Sequence, residues 1–382
     1  MKFEHSLYQK PLSMTGFGGG ATSLSVAGGG GGIVNPFDDM SNFPGATRVG
    51  TSDVIYYSTA GTTYSFTDPN GGASTYRFTA VGGGGSSGGD GGGWYGVIGG
   101  GGGGAARGEI QTAQTLGINV GYGGGSPGYF GFTGTGNDSV YFANSIAGAF
   151  NNMDRVKGRG GVSYVQAAPN SSGHWLIYGT GGMPGAYGYP PTAYGDIQTA
   201  SGNNTGYTVR NGGRGFWENG GFGTISSGGG VTVNNGSTEA GGTGGCAAHQ
   251  DGGSYTRHPL DLYNTYPSRS TWAATGGQST TYAGPGGGGG SDYDNYYNNA
   301  GNVSTNAAGA VGGAASGLNT LLSGSGLSSA GGNGANTGSH GTQTTRGTVG
   351  GGGGGNSRYS SSDTWQNNFV EGNGIVIVEY LG

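Results

Sequence analysis

Apolar and polar positions alternate over Tyr76–Val81 (YRFTAV), with Tyr76, Phe78 and Ala80 on one side and Arg77, Thr79 and Val81 on the other. A period of two predicts a half-buried β-strand, and this one runs straight into Gly82–Gly85. Asp53–Tyr57 (DVIYY), Thr63–Phe66 and Leu116–Val120 (LGINV) predict further short strands, with a turn at Asp68-Pro69-Asn70-Gly71. Ser163–Gln166 and Trp175–Tyr178 suit a hairpin, and Thr208–Arg210 and Val231–Val233 are minor strand candidates. Gly374–Tyr380 (GIVIVEY) is mostly apolar, β-branched and bounded by glycines, which predicts a strand buried on both faces that closes a sheet. Helical periodicity is scarce. Ala143–Lys157 predicts one helix, and Ala307–Leu322 a second that is broken by Gly309, Gly312, Gly313 and Gly317.

Between these strands the chain is glycine. Of 382 residues, 99 are glycine and 12 proline, a level that ordinarily indicates low complexity or disorder. Two features oppose that reading: disordered chains are highly charged and poor in aromatics, whereas this one is 9% charged and 11% aromatic. The runs also alternate with strand-like segments. Solid runs occur at Gly28–Gly32, Gly82–Gly85, Gly99–Gly104, Gly286–Gly290 and Gly350–Gly355. Collagen is excluded, because it needs glycine at every third position with side chains between. A polyproline-II helix has three residues per turn and no internal hydrogen bonds, so its backbone groups point outward. Six glycines such as Gly99–Gly104 would span about 19 Å in that form. Without side chains such helices can pack on all sides and pair their N–H and C=O groups with neighbours. Ordering glycine costs conformational entropy, so an isolated run stays coil while many together can be stable. The expected fold is mainly β and irregular: short strands feeding a bundle of packed polyglycine-II helices, with very little α-helix.

The chain divides into an N-terminal attachment or assembly segment (1–52), a strand plus glycine-rich domain (53–136), an inserted loop-rich region (137–283), and a glycine-rich region with a closing strand (284–382). Net charge is −5, and only three of the 14 basic residues are lysines, so nucleic-acid binding through phosphates is not expected. Cys246 is the only cysteine, which excludes an intrachain disulfide framework. Met1–Met14 has no apolar core of signal-peptide length, and no stretch approaches a membrane span. Export by lysis or a signal-independent route fits, as does virion assembly in a host cytoplasm.

No enzymatic chemistry is expected, and no cofactor or metal. The five histidines are scattered, and His249, Asp251 and His258 lack a ligand spacing. Glycine runs match dinucleotide fingerprints trivially and open no helix. Three loops instead suit binding: Gly185–Tyr194 (GAYGYPPTAY), Asn211–Phe222 (NGGRGFWENGGF) and Ser291–Asn299 (SDYDNYYNN). Tyrosine gives a flat apolar face and a hydroxyl at low entropic cost, while Asn, Ser and Gly add adaptable hydrogen bonds. The candidate contacts are Tyr187, Tyr189, Tyr194, Trp217, Asp292, Tyr293, Asp294, Tyr296 and Tyr297. The competing role for any one tyrosine is to cover glycine helices against water, and Trp94, Trp272 and Trp365 are expected to act as such lids.

Tyr64–Gly85, Leu116–Gly125 and Gly350–Gly382, the last ending in GNGIVIVEYLG, resemble the glycine-rich domains of bacteriophage tail fibres and tail-tip adhesins. Thr15–Ser25 (TGFGGGATSLS) is similar to the opening of tail-fibre-type proteins. The resemblance implies a polyglycine-II bundle that displays loops to a host surface, located on the virion. Its implied partners are a surface polysaccharide or an outer-membrane protein, other tail or fibre proteins, and two further copies in a homotrimer. The alternative from another class is a self-assembling extracellular glycine-rich filament or matrix subunit.

Overall fold

The computed structural model describes residues 35–86, 99–124, 160–168, 174–182, 223–245, 276–289, 311–334, 345–354 and 372–382, all within one compact unit, Asn35–Gly382. These residues are mainly β, in two antiparallel sheets with almost no helix. The strands are β1 (Thr47–Arg48), β2 (Val54–Tyr57), β3 (Thr63–Phe66), β4 (Tyr76–Val81), β5 (Ala105–Ile110), β6 (Leu116–Asn119), β7 (Ser163–Gln166), β8 (Trp175–Gly179), β9 (Thr224–Ile225), β10 (Asn234–Glu239) and β11 (Ile375–Tyr380). One sheet runs β1-β2-β11-β4-β5-β10 and the other β3-β6-β7-β8-β9. The expected β7–β8 hairpin forms, pairing Tyr164 with Tyr178.

The inner faces of the sheets share one core. Tyr76, Phe78 and Ala80 of β4 meet Leu116, Ile118, Val165, Leu176 and Ile177 of the facing sheet. Rings seal one end of this core: Phe37 lies edge-on to Phe43 at 5.1 Å, Phe43 stacks on Phe66 at 5.2 Å, and Phe66 meets Tyr76 at 4.9 Å. Each such fully buried side chain contributes roughly 1.5–3 kcal/mol relative to exposure.

One expectation about the strands is corrected by what covers the outer face of the six-stranded sheet. β4 is not half-buried, since Thr79 and Val81 are as buried as Phe78. Val81, Ala105, Ile375 and Ile377 form a second core with Ala283, Ala315, Leu318 and Leu322. Helix α1 (Ser316–Leu321) supplies Leu318 and is the only helix among the described residues of the stretch expected over Ala307–Leu322, because Gly312 and Gly313 bond to neighbouring segments instead. β11 is buried on both faces as expected, but it lies between β2 and β4 rather than closing a sheet. Val231 makes only a single bridge to Gly228, and the strand begins later, at Asn234. Ala143–Lys157 and Thr208–Arg210 lie outside the described residues.

Beyond the strand ends the glycine segments bind one another through backbone hydrogen bonds in steps of three residues. Gly82 and Gly85 donate to Gly104 and Gly101 at 3.0 and 2.8 Å, whereas Gly83 donates to Gly161 and Gly84 to Gly372. Gly99 and Gly102 donate to Gly245 and Gly242, and Gly100 and Gly103 to Gly353 and Gly350. The segment 99–104 also accepts from Gly284 and Gly287 and donates to Thr180, so it bonds to five other segments. Its six glycines are buried with no side chain present. None of them has a positive φ, so backbone freedom is not why glycine is needed. The reason is spacing. A Cβ on Gly100 would fall on the Gly85 carbonyl, one on Gly102 on the Gly284 carbonyl, and one on Gly103 on the Gly82 carbonyl.

Candidate binding face

Strand order and hydrogen-bond register together give this glycine lattice a direction. β4 delivers Gly82–Ser86 outward from the sheet, and 99–104 brings the chain back into β5. β6 and β8 likewise deliver 121–124 and 180–182 outward, while 160–162 returns to β7 and 372–374 to β11. The outermost residues bond to each other: Gly85 O accepts from Gly353, Gly84 O from Gly124, Gly245 O from Gly99, and Gly332 O from Gly288, all at 2.8 to 3.1 Å. They therefore lie at one level, the end of the lattice away from the sheets.

Seven stretches of chain leave from that end: 87–98, 125–159, 183–222, 246–275, 290–310, 335–344 and 355–371. Six also return there. The seventh, 183–222, comes back at Gly223, whose N–H donates to Ala105 O beside the sheet. The stretch 169–173 differs, joining β7 to β8 at the opposite end. Asn35 also lies at that opposite end, where its side chain donates to Asp53, whose carbonyl accepts from Tyr380.

All nine candidate contacts, Tyr187, Tyr189, Tyr194, Trp217, Asp292, Tyr293, Asp294, Tyr296 and Tyr297, lie outside the described residues, as do Trp94, Trp272 and Trp365. Their positions in sequence fall within the seven stretches.

The polar side chains that hold the lattice to the sheets gave no signal in the sequence. Glu239, at the end of β10, accepts N–H groups from Thr281, Tyr282 and Ala283 at 2.6, 2.6 and 3.1 Å. Asn373 Oδ1 accepts from Gly123 N at 2.9 Å, and Ser163 Oγ from Gly121 N at 3.0 Å. Arg107 bonds Glu379 at 2.5 Å and lies over the Tyr282 ring at 4.2 Å. Arg77 pairs with Glu109, which also accepts from Asn235 at 2.6 Å. The Arg77 and Asn235 hydrogen bonds hold the Glu109 carboxyl below its ordinary value. Burial pushes the Asp68 carboxyl up, but hydrogen bonds from Tyr76, Ser74 and Asn70 outweigh it and leave it lowered. Arg77 and Arg107 are paired with carboxylates and Glu239 and Asp68 are satisfied by N–H and O–H donors, which marks these groups as structural ties.

Among the described residues no group of His, Cys, Asp and Glu could hold a metal ion, and no helix is long and apolar enough to cross a membrane. What the fold defines is a class: an antiparallel β-sandwich that carries a close-packed glycine lattice on one end, at whose tip seven of the described segments stop. No protein-family model and no curated protein matches the chain.

Proposed function

We propose that the glycine segments are polyglycine-II helices packed as a bundle, and that the protein is a bacteriophage tail-fibre or tail-tip adhesin. The three-residue step of the hydrogen bonds supports the first part, since a polyproline-II geometry has three residues per turn and turns successive N–H groups to different neighbours. The second part rests on one observation, the two-ended layout: the chain enters the sandwich at Asn35, and seven stretches leave the opposite, lattice end. Such a layout separates an attachment end from a contact end. Fourteen of the 24 tyrosines fall in those stretches, a composition suited to sugar faces and to loops of outer-membrane proteins. On this reading the protein sits on the virion, joins other tail or fibre proteins through its N-terminal segment, and forms a homotrimer by analogy with tail fibres.

The test is binding of the labelled protein to a panel of intact bacterial cells, with and without Ser291–Asn299. Saturable binding that needs this loop supports the adhesin and locates its contact. Absence of binding across the panel, with open-ended filaments on the electron-microscope grid, overturns it in favour of the self-assembling matrix subunit. The half-exposed lattice margin at Gly312 and Gly331, with Val311 68% exposed, is what favours that second reading.

A further inference from the structure

Four Asn-Gly pairs lie among the described residues, at Asn70, Asn235, Asn333 and Asn373. An Asn-Gly pair deamidates spontaneously when the glycine N–H can reach the asparagine side-chain carbonyl, because glycine offers no Cβ to obstruct the approach. In each of the four pairs the structure holds at least one reacting group, so the distinction lies in the backbone around them. At Asn373, Oδ1 accepts from Gly123 N at 2.9 Å while Gly374 N donates to Gly121 O at 2.7 Å. At Asn70, the side-chain amide donates to Ser74 Oγ at 2.9 Å and Gly71 N donates to Asp68 O at 3.1 Å. At Asn333, Oδ1 accepts from Gly312 N at 2.9 Å.

Asn235 is placed differently. It and Gly236 are both exposed on β10, an edge strand of the six-stranded sheet. Pairing with β5 jumps from Asn234 opposite Glu109 to Ser237 opposite Arg107, so Asn235 and Gly236 together stand against the single residue Gly108 as a β-bulge. Asn235 has φ 47°, the one positive φ at a non-glycine residue in the described chain. Its departing group, the side-chain amide nitrogen, already points at a carboxylate, Glu109 Oε2, at 2.6 Å.

We propose that Asn235-Gly236 is a self-modification site of this protein. Gly236 N attacks Asn235 Cγ, forming a C–N bond and breaking the Cγ–Nδ2 bond. The proton from Gly236 N leaves with the amide nitrogen as ammonia, and a succinimide remains. Water then opens the ring at either carbonyl to give aspartate or isoaspartate at position 235. No oxidant or catalyst is required. The product places a second carboxylate against Glu109, removes one of the two hydrogen bonds that lower the Glu109 carboxyl, and, as isoaspartate, lengthens the bulged backbone. β10 continues into Glu239, which ties the strand to Thr281–Ala283, so the change acts on an element that anchors the lattice.

The test is incubation of the intact, folded chain at mildly alkaline pH, followed by proteolysis and mass spectrometry of the peptides that carry Asn70, Asn235, Asn333 and Asn373. Conversion at Asn235 on the order of tenfold faster than at Asn373 is expected, because the latter must first open locally. Asn235→Gln abolishes the mass change in that peptide and leaves the other three unaltered. Equal rates at Asn235 and Asn373 overturn the proposal. So does an Asn235 that stays intact in the folded chain while converting in the urea-unfolded one.

Discussion

Gly84 and Gly351 approach so closely that a methyl group on Gly84 would overlap the Gly351 carbonyl. The two belong to segments separated by most of the chain, and Gly84 meanwhile donates its N–H to Gly372 at 2.9 Å. Glycine is required here by backbone against backbone, which no rotamer change can relieve. Gly84→Ala is therefore expected to cost about 3 kcal/mol, at the upper end of overpacking substitutions. Gly50 is the control. It needs glycine for a φ of +56°, a Cβ there would meet nothing within 4 Å, and asparagine tolerates that conformation. Gly50→Asn is expected to stay within about 0.5 kcal/mol. Chemical denaturation of the two variants checks both values.

Tyr57 is buried in the shared core, 4.8 Å from the Tyr64 ring, and its hydroxyl has no hydrogen-bond partner among the described residues. Burial, then the neighbouring Tyr64, pushes its phenol well above the ordinary value. A raised folded-state value means the associated stability is complete below the ordinary phenol range and is lost as pH rises toward the folded value. Tyr57→Phe removes an unsatisfied buried hydroxyl while keeping the ring. It is expected to stabilise the protein by about 1 kcal/mol and to flatten the alkaline limb of the stability profile. Thermal melts from neutral to strongly alkaline pH measure both effects.

What the sequence announced and what it concealed follow one physical division. β4, β7, β8 and β11 were legible because β-branched and aromatic residues cluster there between glycines. β5 (AARGEI) and β10 (NNGSTE) have no such pattern, and their extension is imposed by partners. In β5, Arg107 and Glu109 stand opposite Thr79 and Arg77, and Gly108 stands opposite Phe78. The burial of Thr79 and Val81 was equally hidden, since it depends on Ala283, Ala315 and Leu318 arriving from distant sequence. The glycine runs were obvious as composition, yet which run bonds to which is invisible in a string of identical residues. Polar ties such as Glu239 and Asn373 act on backbone N–H groups, which carry no sequence signature of their own.

Glu239 joins the end of β10 to the turn that precedes the lattice segment 284–289. Its carboxylate satisfies three consecutive N–H groups, Thr281, Tyr282 and Ala283. Charge-assisted bonds of this kind are stronger than neutral ones, but the site is only partly buried and water can replace some of them. Glu239→Ala is expected to cost about 1–2 kcal/mol, and Glu239→Gln about half of that, since one acceptor oxygen remains. Hydrogen exchange at Thr281–Ala283 should rise in Glu239→Ala while exchange in β7 and β8 stays unchanged. Uniform acceleration throughout the molecule would instead mean that the tie stabilises the whole fold.

Asp68 organises the turn between β3 and β4. Its Oδ1 accepts from Tyr76 Oη at 2.7 Å and Asn70 N at 3.0 Å, and its Oδ2 from Gly72 N at 2.8 Å and Ser74 N at 3.1 Å. Tyr76 in turn packs against Phe37 and Phe66, so the carboxylate links the turn to the sealed end of the core. The hydrogen bonds favour the ionised form and lower the carboxyl despite its burial. A depressed folded-state value means the stability is present above the ordinary carboxylate range and disappears as pH falls through the folded value. The loss is expected to begin near about pH 5 and to continue through strong acid. Asp68→Asn keeps the shape but turns an amide N–H₂ toward backbone donors, which should cost about 2 kcal/mol at neutral pH. The difference between the two proteins should then shrink on acidification, as the native carboxyl takes up its proton. A constant difference from neutral to acid pH would show that the mispaired amide, and not the lost charge, accounts for the cost.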